Sequence, residues 1–460
     1  MNRPVNEREL VLDALIRIIE QNVFSHVALN QLLTKYQYLD KKQRAFITRV
    51  TEGTLEHMLE IDYILDQFSS VKVKKMKPVI RNILRSAVYQ LKYLDNVPDA
   101  AVCNEAVNLA VKRGFKNLRG FVNGVLRGIA RNLDQIVYPQ ERLAFMEVKY
   151  SIPAWMLELW LSVYDEDTVE KIAASFQQQK RLTIRTNIGR TTPKELQQNL
   201  EKEGIKVQAH PYLPYAFQIS GIDYLGGLET FQKGDFYIQD ISSMLVGELA
   251  ALQAGDYVID VCAAPGGKAL HLAEKLMAEN VKYNAEHHGQ VEARDLTAEK
   301  VAFIQENIKR SGLSNIRARQ MDALVKDEDS VGKANIVIAD LPCSGLGILG
   351  KKADLRYKAS KESLAELVSL QRKILTQVCS YVAPGGTLLF STCTINPGEN
   401  IENVHWFLEQ FAEFQLDDIS HRLCQQLQAD VQENGCLQLL PGIHESDGFF
   451  MARFVRSESD

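Results

Sequence analysis

Two spacings of apolar residues divide this chain. Between residues 7 and 131 apolar positions recur three and four apart, with Leu10, Val11, Ala14, Leu15, Ile18 and Ile19 forming one stripe and residues 79–93 repeating it. This predicts an all-α domain over residues 1–140. Past Tyr138-Pro139 comes a short helical piece at 153–164, then LTIRTNI, a helix opening at Thr192, and IKVQAHPYLPYAFQI. Thr192 is placed as the N-cap, Pro193 occupies the first helical position, and Glu195 completes a capping box. The segment reads as β-α-β, a small α+β module over 141–235. Residues 236–460 alternate strand with helix, the strands falling at 258–261, 290–293, 315–319, 335–339 and 386–391. That order predicts a parallel, doubly wound sheet.

Composition narrows the class. At 460 residues, 46% hydrophobic and 24% charged, the chain has the make-up of a soluble globular protein of about three domains. No apolar run reaches the roughly 18 residues of a membrane span, and the N-terminal stretch is a charged amphipathic helix, so the expected compartment is the cytoplasm, with no membrane partner. Seven cysteines without a C-x-x-C pair argue against a disulfide framework and a zinc cluster. No metal is expected. His287-His288 lies in a polar insert and reads as solvated.

The net charge of −5 conceals an asymmetry. Residues 1–140 hold 21 Lys/Arg against 14 Asp/Glu, a balance of +7 that leaves −12 for the remainder. Basic residues gather in VKVKKMK (71–77) and in Lys112, Arg113, Lys116, Arg119, Arg127 and Arg131. A basic appendage on an acidic body suits a polyanion at one end and a cationic small molecule at the other. Solvated helix faces alone would give the same counts.

The candidate chemistry lies just past predicted strand ends, where open α/β sheets bind ligands. A strand at 257–261 runs into the loop Cys262-Ala263-Ala264-Pro265-Gly266-Gly267-Lys268 and then a helix. This loop lacks the G-x-G-x-x-G spacing of a dinucleotide site and the glycine and hydroxyl positions of a nucleoside triphosphate loop. Asp295, Asp322, Asp340, Cys343 and Cys393 follow the other strands. A single cysteine is more often a small core residue than a nucleophile. Two thiols able to reach one cleft suggest covalent catalysis.

Together DVCAAPGGK, DLPCSGLG, STCTINPGEN and the closing PGIHESDGFFMARF resemble the RNA cytosine-5 methyltransferases, specifically the bacterial Sun/Fmu (RsmB) family acting on 16S rRNA. VPDAAVCNEAVNLA and GFVNGVLR are similar to the NusB-type RNA-binding domain, so the resemblance spans nearly the whole chain. It implies a Rossmann-like methyltransferase sheet at 236–460, preceded by a NusB-like all-α domain and the small α+β module. The implied cofactor is S-adenosyl-L-methionine, and the implied partner is 16S rRNA, bound by a monomer. By resemblance, Cys393 attacks carbon 6 of cytosine, Cys343 assists release of the adduct, and Asp340 faces the base's nitrogen edge. Lys268 joins this catalytic group. The loop Cys262 to Lys268 would hold the methionine end of the cofactor, Asp295 its ribose and Asp322 its adenine side, with Asp340 close by. Ala269 stands where the family usually has Thr or Ser, and the weakly apolar strand before Asp295 leaves Glu292 as the alternative ribose ligand. A tRNA or other rRNA cytosine, or a catalytically silent RNA-binding assembly role, remain the competing readings.

Overall fold

The computed structural model describes residues 6–178, 181–222, 224–283 and 289–458; His287-His288 lies outside these. The chain divides into two compact units. The first contains residues up to Gln178 together with Leu349–Ala359, and the second contains the rest.

The first unit is helical. Its central helix, Pro78–Tyr93, buries residues on every side, from Ile80 and Ile83 to Leu84, Val88 and Leu91. It packs against the helices Lys41–Glu56, Met58–Phe68, Asp99–Lys112 and Arg119–Arg131. A helix surrounded in this way buries polar side chains as well, and these are partnered: Arg85 Nε donates to Asp62 Oδ1 at 2.7 Å, Asn82 Nδ2 to Glu20 Oε1 at 2.9 Å, and Gln90 Nε2 to the carbonyl of Ser86 at 2.9 Å. Three further helices, Arg142–Tyr150, Ala154–Leu161 and Glu166–Ser175, belong to the same unit. So does a distant segment. Within Leu349–Ala359, the buried Arg356 donates from Nη1 to the carbonyl of Glu56 at 2.6 Å and to those of Tyr150 and Ser151 at 3.4 and 3.5 Å. Glu56 and Tyr150 end their helices, where unpaired carbonyls favour a cation.

The second unit holds two sheets. The smaller has four strands, β1 (Leu182–Thr186), β2 (Lys206–Ala209), β3 (Ala216–Ser220) and β4 (Phe236–Ile238), in the order β2-β3-β1-β4 and antiparallel throughout. The helix Pro193–Lys202 starts as expected, with Thr192 accepting from Glu195 N and the capping box complete. The β-α-β expectation is corrected at IKVQAHPYLPYAFQI, which is a hairpin rather than one strand. Pro211 and Pro214 cannot donate to a ladder, so the run breaks between β2 and β3.

The larger sheet runs through β5 (Tyr257–Asp260), β6 (Gln290–Asp295), β7 (Ile316–Gln320), β8 (Ala334–Asp340) and β9 (Val382–Thr392). It continues into β10 (Phe414–Leu416), β11 (Val431–Gln432), β12 (Cys436–Leu439) and β13 (Phe449–Arg456). Its order is β11-β12-β13-β9-β8-β5-β6-β7, with β10 on β13. The run β9-β8-β5-β6-β7 is parallel, as expected, but β13 pairs antiparallel with β9 from Phe450–Thr392 to Val455–Thr387. The strand order reverses between β5 and β8, and a crevice opens at the carboxyl ends of strands flanking such a reversal. Among the described residues no helix is long and apolar enough to cross a membrane.

Candidate active site

The reversal point carries the glycine loop. β5 ends at Asp260 and the helix Gly267–Lys282 begins after Gly266, whose φ of 105° would strain any residue with a Cβ. Asp295, at the end of β6, braces the loop by accepting from Ala264 N at 2.9 Å, and its other oxygen meets Lys300 Nζ at 3.0 Å. Asp260 Oδ1 accepts from Cys262 N at 3.4 Å, while its buried Oδ2 has no hydrogen-bond partner among the described residues. Burial, then the neighbouring Asp340, pushes the Asp260 carboxyl up to about 7. Burial also raises the Cys262 thiol, so that sulfur packs rather than reacts.

Asp340 ends β8 between two partners. It accepts from Lys268 Nζ at 2.7 Å and from Ser391 Oγ at 2.8 Å. Burial pulls the Lys268 ammonium down, but the charge and hydrogen bond of Asp340 outweigh it and hold the group above its ordinary value. Lys268 stays cationic, lying 5.2 Å from the centre of the Phe449 ring. Cys343 and Cys393, on the loops after β8 and β9, meet with their sulfurs 3.2 Å apart. The hydrogen bond with Cys393, then burial, raises the Cys343 thiol well above its ordinary range.

Two adjoining cavities collect these groups. One of about 300 Å³ is lined by Cys262, Ala264, Asp295, Asp322, Asp340, Cys343 and Cys393 over an apolar floor that includes Val261, Leu296 and Met321. The other, about 240 Å³, is lined by Asp260, Lys268, Asp340, Ser243 and the loop residues Cys262, Ala263, Ala264, Pro265 and Gly267. Gly266 lines neither and serves the turn. Glu292 lines neither, because Arg294 and Arg317 hold it at 2.6 and 2.7 Å. Asp295 rather than Glu292 therefore faces the first cavity.

Sequence reasoning missed several members. Asp260 was passed over inside an apolar run, although a carboxylate ending a buried strand was itself a signal. Ser391 counts among the residues at strand ends but without a role, and Glu399 lies in STCTINPGEN without one, since only the fold shows what they touch.

S-adenosyl-L-methionine fits this donor set. The orphaned buried oxygen of Asp260 beside a glycine loop suits an ammonium, and Asp295 and Asp322 at an apolar cavity suit a nucleoside. Comparison with known proteins agrees. Residues 248–455 match the family described as 16S rRNA methyltransferase RsmB/F, residues 5–131 the NusB family, and residues 152–222 an RsmF/B-like ferredoxin-like domain. A probable ribosomal RNA small subunit methyltransferase B of Bacillus subtilis is 34% identical over 96% of this chain and 97% of its own. The crystal structure of PH0851 covers 99% of this chain and 100% of its own, at a TM-score of 0.79 and 24% identity. NSun6 from Pyrococcus horikoshii, solved with SFG, covers 70% of this chain and 99% of its own, at a TM-score of 0.54 and 21% identity. With identity of this level across both its units, the chain belongs to the RsmB/F family of S-adenosyl-L-methionine-dependent 16S rRNA methyltransferases.

Proposed function

We propose that this protein methylates carbon 5 of a cytosine in 16S rRNA through a covalent bond to Cys393. The observation that carries the reading is the meeting of two thiols 3.2 Å apart at a cavity lined also by Asp295, Asp322 and Asp340. Bound S-adenosyl-L-methionine supplies an electrophilic methyl group. The loop Cys262 to Lys268, with Asp260, Asp295 and Asp322, holds it. Residues 1–140 bind RNA, 141–235 connect, and 236–460 carry the reaction.

The thiolate of Cys393 adds to carbon 6, and the displaced electron pair makes carbon 5 nucleophilic. Asp340, fixed by Lys268 and Ser391, presents its carboxyl to ring nitrogen 3 or the amino group. After methylation carbon 5 holds one proton too many. Cys343 passes its own proton to the departing Cys393 sulfur and takes the carbon 5 proton; the Cys393 thiol gave its first proton to solvent before attack, so the ring is restored, both cysteines end as thiols and one proton is released overall. A Cys343 thiol held high keeps its proton until that step.

Cys393→Ala abolishes methyl transfer and forms no adduct. Cys343→Ala attacks and methylates, then stalls as a protein–RNA species that survives denaturing electrophoresis, and the double variant shows none. Adduct with Cys393→Ala would reverse the two roles, and none with either variant would refute covalent catalysis by this pair. Mapping 5-methylcytosine in cells lacking the protein tests the substrate. An unchanged 16S rRNA pattern would remove it.

A further inference from the structure

A buried carboxylate that none of these steps uses lies behind the two thiols. Glu399 is fully buried in the single turn Pro397–Glu399. Its Oε2 accepts from Ser344 N at 2.9 Å and from Gln371 Nε2 at 3.0 Å. Its Oε1 accepts from Asn396 Nδ2 at 3.0 Å and takes a short hydrogen bond from Ser344 Oγ. Ser344 follows Cys343 in the chain. The same hydroxyl meets Thr394 Oγ1 at 2.8 Å, and Thr394 follows Cys393. Gln371 uses its amide a second time, on the carbonyl of Pro342 at 2.9 Å, which precedes Cys343. A third tie joins the loops directly, Gly347 N to the carbonyl of Cys393 at 3.2 Å.

A charged group is expensive to bury, and four donors are what make this one tolerable. Packing alone would be served as well by an apolar residue. Here the carboxylate instead joins two loops that leave different strands, β8 and β9, and each loop carries one thiol beside its attachment. We propose that Glu399 is a positioning residue for methyl transfer, locking the Cys343 and Cys393 loops so that their sulfurs stay within reach of each other. The inference rests on the cysteine-pair reading above. The charge acts in the same direction as the geometry: after the hydrogen bond to Cys393 and burial, Glu399 adds to what disfavours a Cys343 thiolate. The release thiol thus stays protonated while Cys393 attacks.

Glu399→Gln keeps the volume but turns one acceptor into a donor, set against Ser344 or Asn396. With the full-length protein, a 16S rRNA transcript and methyl-labelled cofactor, single-turnover methyl transfer should slow about 10- to 100-fold, the range that an ångström-scale misplacement produces. Cofactor and transcript affinities should stay within about twofold, because neither cavity contains Glu399. Glu399→Asp should recover part of the rate. Should Glu399→Gln fail to fold, Ser344→Ala and Thr394→Val cut the bridge alone and should slow transfer about tenfold. A native rate in these variants, or affinities falling in step with the rate, overturns the positioning role. A Cys343→Ala protein that accumulates no adduct through Cys393 overturns instead the reading on which it rests.

Discussion

Asp260 bears a charge only at a cost, since its carboxyl is buried, one oxygen has no partner among the described residues, and Asp340 stands near. Its folded pKa of about 7 lies above the ordinary 3.8. The stability it contributes is therefore complete below about pH 4 and is lost as pH rises through about 7, by an amount on the order of 4 kcal/mol. Asp260→Asn removes that loss. Thermal unfolding between pH 5 and pH 8 should show a flatter midpoint than native and a more stable variant at pH 8. A slope equal to native would contradict this account of the burial. The same substitution takes a charge from the second cavity, so calorimetry should show cofactor affinity falling by about tenfold or more.

At the scale of elements, capping and clasping decide what holds. The helix Pro193–Lys202 begins with a complete capping box, and Thr192→Ala should cost about 1 kcal/mol, read as a lower denaturation midpoint with an unchanged slope. Arg356 is a different kind of element end. It satisfies the last carbonyls of two helices from a segment 300 residues from Glu56 and 206 from Tyr150 in sequence. Tyr357 adds a hydrogen bond to the carbonyl of Leu55 at 2.8 Å, and Asp354 accepts from Ser25 N and Oγ at 2.9 and 2.7 Å. Arg356→Met leaves those carbonyls buried without donors and should destabilise the helical unit by roughly 2–4 kcal/mol. Hydrogen exchange should show the ends of Lys41–Glu56 and Arg142–Tyr150 opening first. Unchanged protection there would mean the clasp is incidental.

For the whole molecule, the charge asymmetry is the feature with consequences. Part of the basic cluster is used internally: Lys112 pairs with Glu9, and Arg113 with Glu9 and Asp13. Lys116, Arg119 and Arg131 are exposed and make no ion pair among the described residues. These three, like the exposed Lys74, Lys75 and Lys77 of the other basic cluster, are free to meet phosphate. Replacing them with Gln in the full chain should lower the slope of log affinity against log salt by about 0.7–0.9 for each lost contact, with cofactor binding unmoved. An unchanged slope would place the RNA elsewhere.

The local code was readable from the chain alone. Thr192, Pro193 and Glu195 specify a helix start through contacts within one turn, and the strand, glycine turn and helix around Gly266 follow from neighbours in sequence. The central parallel strands β5, β8 and β9 were legible too, because each is a buried apolar run, whereas β6 and the edge strand β7 carry polar residues and gave a weaker pattern. The antiparallel β13 was not read as a strand. Its pairing with β9 depends on a partner some sixty residues away, as Met451 opposite Ser391 illustrates. The hairpin of β2 and β3 was misread because one proline-broken strand and two paired strands share the same apolar pattern. At the site, sequence placed Cys343, Cys393 and Asp340 at strand ends. Only tertiary structure decided that the two sulfurs meet, that Asp295 rather than Glu292 faces a cavity, and that Glu399 ties two loops together. The physical reason is range: propensity, capping and alternation act over a few residues, whereas a buried charge finds its donors wherever the packed chain brings them.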